Sequence, residues 1–171
     1  MKKENLLVIA IICIAIIGFI VYHQSKPEIQ ADLTQKQGSD VIGDISKIDW
    51  QGYAQGMQLA KSQNKPVFLY FHADWCTYCR KLKETTFKDR AVLKYLRENF
   101  ISIEVDTDKY QELASQWQVR GLPTLWFLKP DNSRITSLPG YVEAKQFLQI
   151  LKYINTTSYE KMDFQEFIKT I

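Results

Sequence analysis

Hydrophobic and polar positions divide the chain into stretches of different character. Leu6 to Tyr22 is a run of 17 residues without a charge, preceded by Lys2 and Lys3. That length is the lower limit for a helix that spans a bilayer. From about His23 to Asp44 the chain turns polar, with Pro27, Gly38 and Gly43 and no clean period. Such a composition predicts a spacer. Patterned sequence begins near Ile45.

Tyr53, Met57 and Ala60 recur at helical spacing up to Asn64-Lys65-Pro66, where proline stops the helix. Val67-Phe68-Leu69-Tyr70-Phe71 is an unbroken apolar run, the pattern of a central strand covered on both faces. It leads into Ala73-Asp74-Trp75-Cys76, and a helix is predicted from Cys76 through Leu82. Ala91 to Asn99 reads as a further helix, and Ile101 to Val105 alternates as a strand does. Leu113, Ala114 and Trp117 mark another helix, and Thr124 to Leu128 another strand, closed by the turn signal Lys129-Pro130-Asp131-Asn132. Ile135 to Leu138 predicts a short partner strand and Glu143 to Tyr153 a helix. At the end, Thr157 and Glu160 have capping-box spacing, with Phe164, Phe167, Ile168 and Ile171 on one face behind them. Elements in this order predict an α/β domain with helices on both sides of a sheet. The expected division is therefore 1–22 stub and anchor, 23–44 spacer, 45–154 folded domain and 155–171 an extra amphipathic helix.

Composition changes little in this picture. At 46% hydrophobic and 24% charged, the chain is that of an ordinary globular protein. The net charge of +3 is spread among acids, so nucleic acid is not expected as a partner. The apolar run ends Gly18 to His23, a poor cleavage sequence, which favours an anchor over a cleaved signal. With Lys2 and Lys3 held inside, the remainder would lie outside the cytoplasm. Cys13 then reads as a small apolar residue of the anchor.

The chemistry rests on Cys76 and Cys79, the only close cysteine pair. A strand that ends at Cys76 and passes at once into a helix meets the needs of thiol–disulfide exchange. The helix N-terminus offers unpaired N–H groups to an anionic sulfur, and the three-residue offset sets Cys79 one turn on. Arg80, Lys81 and Lys83 add positive charge where a first helical turn disfavours it. Half of a zinc site is a rival reading, but only His23 and His72 are available to complete it. Haem attachment would need histidine where Arg80 stands. A purely structural disulfide stays open, though so short a loop staples little.

The stretch Phe71 to Arg80, together with Gly121-Leu122-Pro123-Thr124, resembles the active-site turn and cis-proline loop of the thioredoxin superfamily. The similarity runs from about Ile45 to Tyr153. Within the superfamily, Ala-Asp-Trp-Cys, Thr86 to Asp89 and Gly-Leu-Pro-Thr are most similar to the periplasmic C-terminal domain of DsbD. The resemblance implies a thioredoxin fold, a central mixed sheet flanked by helices. It implies Cys76 as attacking thiolate and Cys79 as resolving thiol, joined as a redox disulfide. Trp75, Thr77, Tyr78, Leu122 and a cis Pro123 would contact the substrate, with the Leu122 backbone receiving an extended segment. No bound cofactor or metal is implied. The expected partners are protein thiols and disulfides, a membrane or soluble redox partner, and the membrane itself through the N-terminal helix.

Departures from the pattern carry information too. The family's buried acid corresponds to Tyr70, the lysine that accompanies it to Ser102, and an acid after the cysteines to Lys83, with Glu84 one place off. Removing acids would stabilise a thiolate and make the pair more oxidising than thioredoxin. Glu84, Glu104 or water is left to carry the proton. The function expected is a membrane-anchored, extracytoplasmic thiol–disulfide oxidoreductase, acting as a reductase. An oxidase or isomerase, or a client-binding module that merely retains its cysteines, is the alternative.

Overall fold

The computed structural model describes residues 46–171, and the anchor and spacer expected at 1–44 lie outside the described residues. Among the described residues no helix is long and apolar enough to cross a membrane. The elements are β1 (Trp50–Gln51), α1 (Tyr53–Gln63), β2 (Val67–His72), α2 (Thr77–Glu84), α3 (Arg90–Asn99), β3 (Ile101–Asp106), α4 (Gln111–Gln116), β4 (Thr124–Leu128), β5 (Arg134–Pro139), α5 (Ala144–Asn155) and α6 (Phe164–Ile168). Short 3-10 turns occupy Thr86–Lys88 and Ser158–Glu160. The five strands are ordered β1-β3-β2-β4-β5, with β1, β3 and β2 parallel and β4 and β5 antiparallel to their neighbours.

Strand β2 lies at the centre because it can be buried on both faces. All six of its residues are buried. Phe68 and Tyr70 point into one core with Leu82 of α2, Leu96 of α3 and Phe147 and Leu151 of α5. Val67, Leu69 and Phe71 point into the other, with Ala60 of α1, Ile103 and Val105 of β3, and Trp117 after α4. The first core holds a cluster of rings: the Phe68 ring lies 5.2 Å from Phe147 and 5.8 Å from Phe87 and Phe127. Each such ring contributes about 1.5–3 kcal/mol on burial. On the opposite face α1 rests closely on β3, since a Cβ added at Gly56 would collide with the Ile103 side chain.

The turn into β2 is made by Asn64, left-handed at φ 51°, whose N–H closes α1 ahead of Pro66. Helix α3 begins at Asp89, whose carboxylate accepts from the N–H groups of Ala91 and Val92 at 2.9 and 3.0 Å. The C-terminal segment differs from the expected 155–171 helix. Thr157 turns left-handed at φ 52° and makes no side-chain cap, so the Thr157–Glu160 capping box does not form. Asp163 caps instead, accepting from Glu166 N–H at 2.8 Å, and only the five residues of α6 are helical. This segment packs on α5: Tyr153 touches Phe164 and Phe167, and its hydroxyl donates to the Met162 carbonyl at 2.6 Å.

Candidate active site

Three segments meet at one end of the sheet. Phe71, next to last in β2, pairs with Val105 of β3 and with Thr124 of β4. The chain leaving β2 (Ala73 to Cys76), the chain leaving β3 (Thr107 to Tyr110) and Leu122–Pro123, just ahead of β4, therefore share one rim. The Leu122–Pro123 peptide is cis. Pro123 is buried, and its carbonyl accepts from Gly140 N–H at 2.8 Å.

Cys76 is the N-cap of α2, in extended conformation, and its sulfur accepts from the Cys79 N–H at 3.1 Å. A helix N-terminus aimed at sulfur stabilises the thiolate over the thiol. Cys76 and Cys79 are joined by a disulfide, with S–S 2.10 Å. Cys76 is 4% exposed and Cys79 1%, so Cys76 is the less enclosed of two buried residues.

Around them the rim is aromatic. Trp75 is 67% exposed, and its indole N–H donates to both oxygens of Asp108, at 3.0 and 3.2 Å. Thr77 and Tyr78 lie exposed in the first turn of α2. Leu122 is half-buried against both cores. The cations of α2 are differently engaged than their sequence position suggests. Lys81 lies over the Tyr141 ring at 4.1 Å, and the Lys83 charge acts on Glu104.

Beneath the cysteines, one correspondence inferred from sequence is corrected. Tyr70, where the family's acid is expected, pairs in register with Glu104, whereas Ser102 pairs with Phe68. The companion position thus holds a carboxylate on β3, not a serine. Tyr70 is fully buried and its hydroxyl donates to the Cys79 carbonyl at 3.4 Å. Burial, and secondly the Glu104 charge, pushes that hydroxyl above the ordinary tyrosine range. His72 stacks on Tyr70 at 5.0 Å, and its Nε2 lies 3.5 Å from Glu104 Oε2. The hydrogen bond from His72, aided by His72 and Lys83 charge and opposed by burial and Asp106, holds the Glu104 carboxyl below the usual range. Asp108, Glu104 and His72 are parts of this site that local sequence patterns do not reveal as a group.

The sequence model of the thioredoxin-like domain matches residues 53–155. The chain belongs to the thioredoxin-like family. A thioredoxin from Thermus thermophilus superposes on this thioredoxin-like domain with TM-score 0.58 at 29% identity, over 63% of this chain and 87% of that one. The oxidised C-terminal domain of DsbD from Neisseria meningitidis does so with TM-score 0.50 at 29% identity, over 59% and 90%. The thiol:disulfide interchange protein DsbD of Vibrio vulnificus is 30% identical over 151 residues, 83% of this chain and 25% of that protein. The thioredoxin-like chain thus spans about a quarter of the length of that curated relative. Its cysteine pair, joined as a disulfide at a helix N-terminus, has the geometry that thiol–disulfide exchange uses.

Proposed function

We propose that this chain is a membrane-anchored thiol–disulfide oxidoreductase that reduces protein disulfides outside the cytoplasm. The observation that carries the reading is the Cys76 sulfur, held at the α2 N-terminus against the Cys79 N–H and bonded to Cys79. Cys76 attacks the client disulfide, and Cys79 resolves the mixed disulfide. Trp75, Thr77, Tyr78 and Leu122–Pro123 line the rim on which an extended client segment lies. The likeness to DsbD supports an extracytoplasmic setting, as does the uncharged run Leu6–Tyr22 behind Lys2 and Lys3. A membrane or soluble redox partner returns electrons to the pair.

Glu104 favours reduction over oxidation. Loss of acids near Cys76 would make the pair oxidising, but the Tyr70–Glu104 register restores one. A carboxylate beside Tyr70 disfavours a second anion nearby, destabilises the reduced, thiolate-bearing form and so makes the pair a better reductant, although His72 and Lys83 offset part of its charge. The test is the reduction potential of the full chain, equilibrated against glutathione buffers. A value near the roughly −270 mV of thioredoxin supports the reductase, and one towards the roughly −120 mV of DsbA makes the chain an oxidant. Replacing both Cys76 and Cys79 with serine abolishes the activity; retained activity would mean a binding module instead.

A further inference from the structure

Resolution of a mixed disulfide at Cys76 requires that Cys79, buried, lose a proton. Tyr70 stands directly below it but is unsuited to the task. Its single proton is already donated to the Cys79 carbonyl, and its ring is sealed between Trp50, Phe87 and His72. Glu84 lies exposed at the far end of α2 from Cys76. Glu104 is placed otherwise. It faces the same core as Tyr70, its partner in register, and the Lys83 charge acts on it. Lys83 follows Cys79 by one helical turn, four residues on, so the two share a face of α2. Glu104 is thus the strand neighbour of the residue whose hydroxyl meets the Cys79 carbonyl.

Glu104 also has a way out. Its side chain is 38% exposed and lines a groove with Trp50, His72, Asp74, Asp106 and Lys109, beside the cysteine loop. His72 is buried, with Nε2 toward Glu104 and Nδ1 buried without any hydrogen-bond partner. Native structures rarely leave such an atom unpaired, and a bare imidazole nitrogen is a proton acceptor in waiting. The charged and titratable groups that surround the pair are Tyr70 from β2, Asp106 from β3, Lys83 from α2, and Asp74, Lys109 and Tyr110 from the two loops.

We propose that the His72–Glu104 pair takes up the proton of Cys79 when the mixed disulfide resolves, and returns it from solvent when the Cys76–Cys79 disulfide is reduced. The proposal rests on the oxidoreductase reading above and assigns its missing proton carrier. In the resolving step the Cys79 sulfur forms a bond to the Cys76 sulfur, and the bond from Cys76 to the client sulfur breaks. The client leaves as a thiolate carrying the electron pair, Cys79 is oxidised, and its proton goes to the pair. In the reverse direction a partner dithiol supplies the two electrons, and the pair protonates Cys79 as it leaves Cys76.

The test mixes the reduced full-length protein with oxidised glutathione at concentrations high enough that attack by Cys76 is no longer limiting. The remaining concentration-independent phase reports resolution by Cys79. Glu104→Gln and His72→Gln should each slow that phase about a hundredfold at pH 7, the low end of general-base effects. The deficit should close as pH rises and Cys79 ionises unaided, and Glu104→Asp should recover most of the rate. Both glutamine variants keeping the wild-type rate would overturn the proposal alone. So would an equal loss at every pH, which is the mark of a structural defect. A wild-type chain that shows no such phase overturns the oxidoreductase reading and the proposal with it.

Discussion

Tyr70→Phe removes a single hydroxyl from the floor under Cys79, and its small expected cost can be worked out. The bond it makes, to the Cys79 carbonyl, is 3.4 Å long, beyond the usual range for a good O–H···O contact. A well-formed hydrogen bond contributes about 0.5–1.5 kcal/mol net, so this one belongs at or below the low end. The carbonyl it leaves belongs to α2, where the helix ladder also uses it. Tyr70→Phe should therefore lower stability by about 1 kcal/mol or less. Tyr70→Ala is different, because the ring is fully buried and touches Trp50, Phe87 and His72. Deleting it should cost about 3–5 kcal/mol. Urea unfolding of the oxidised full-length protein reads both, with an unchanged slope showing that the unfolded state is the same. In the resolving assay Tyr70→Phe should stay within about twofold of wild type, since a group that moves the proton would be worth on the order of a hundredfold. A phenylalanine variant that loses more than about 2 kcal/mol, or that resolves a hundredfold more slowly, refutes the assignment of Tyr70 to packing and of the proton to its neighbours.

Two further outcomes follow from named contacts. Asp89→Ala strips α3 of the carboxylate that accepts from Ala91 and Val92, and should cost about 1 kcal/mol in urea unfolding. Glu104 has its carboxyl pKa lowered in the folded state, so its contribution to stability is present above the ordinary glutamate value of about 4.3 and is lost as pH falls through the lower folded value. Urea midpoints followed down the acid side should fall less steeply in Glu104→Gln than in the wild type, and parallel curves would remove Glu104 from the acid response.

Much of the fold was legible in residue patterns because the physics that sets it is local. The Val67–Phe71 run could only be a strand covered on both faces, and Thr124–Leu128 is bounded by its own turn residues. Strand β1 escaped notice because two residues carry no period; its existence depends on β3 being there to pair with Trp50 and Gln51. The C-terminal segment misled for a related reason. Thr157 and Glu160 have the right spacing for a capping box, but tertiary packing of Tyr153 on Phe164 and Phe167 draws the chain into a turn first. At the site, the cysteines and the proline loop were visible because their spacing is short. Asp108 beside Trp75, and Glu104 beside Tyr70, come together only through the β2–β3 register. A slip of two residues in that register separates Ser102 from Glu104, and sequence spacing alone did not resolve it.

The central place of β2 also bears on how the chain avoids sticking to itself. Val67 to Phe71 combines bulky apolar residues with no charge or proline, the composition of segments that stack into cross-β fibrils when left open. Both of its backbone edges are taken, one by β3 and the other by β4. The strands left at the margins are poor templates: β1 is two residues long, and β5 has an exposed arginine at its start and a proline at its end. The adhesive segment is thus quarantined behind unattractive borders. The period before β3 and β4 close over it, in a newly made or partly unfolded chain, is when this protein is most exposed to aggregation.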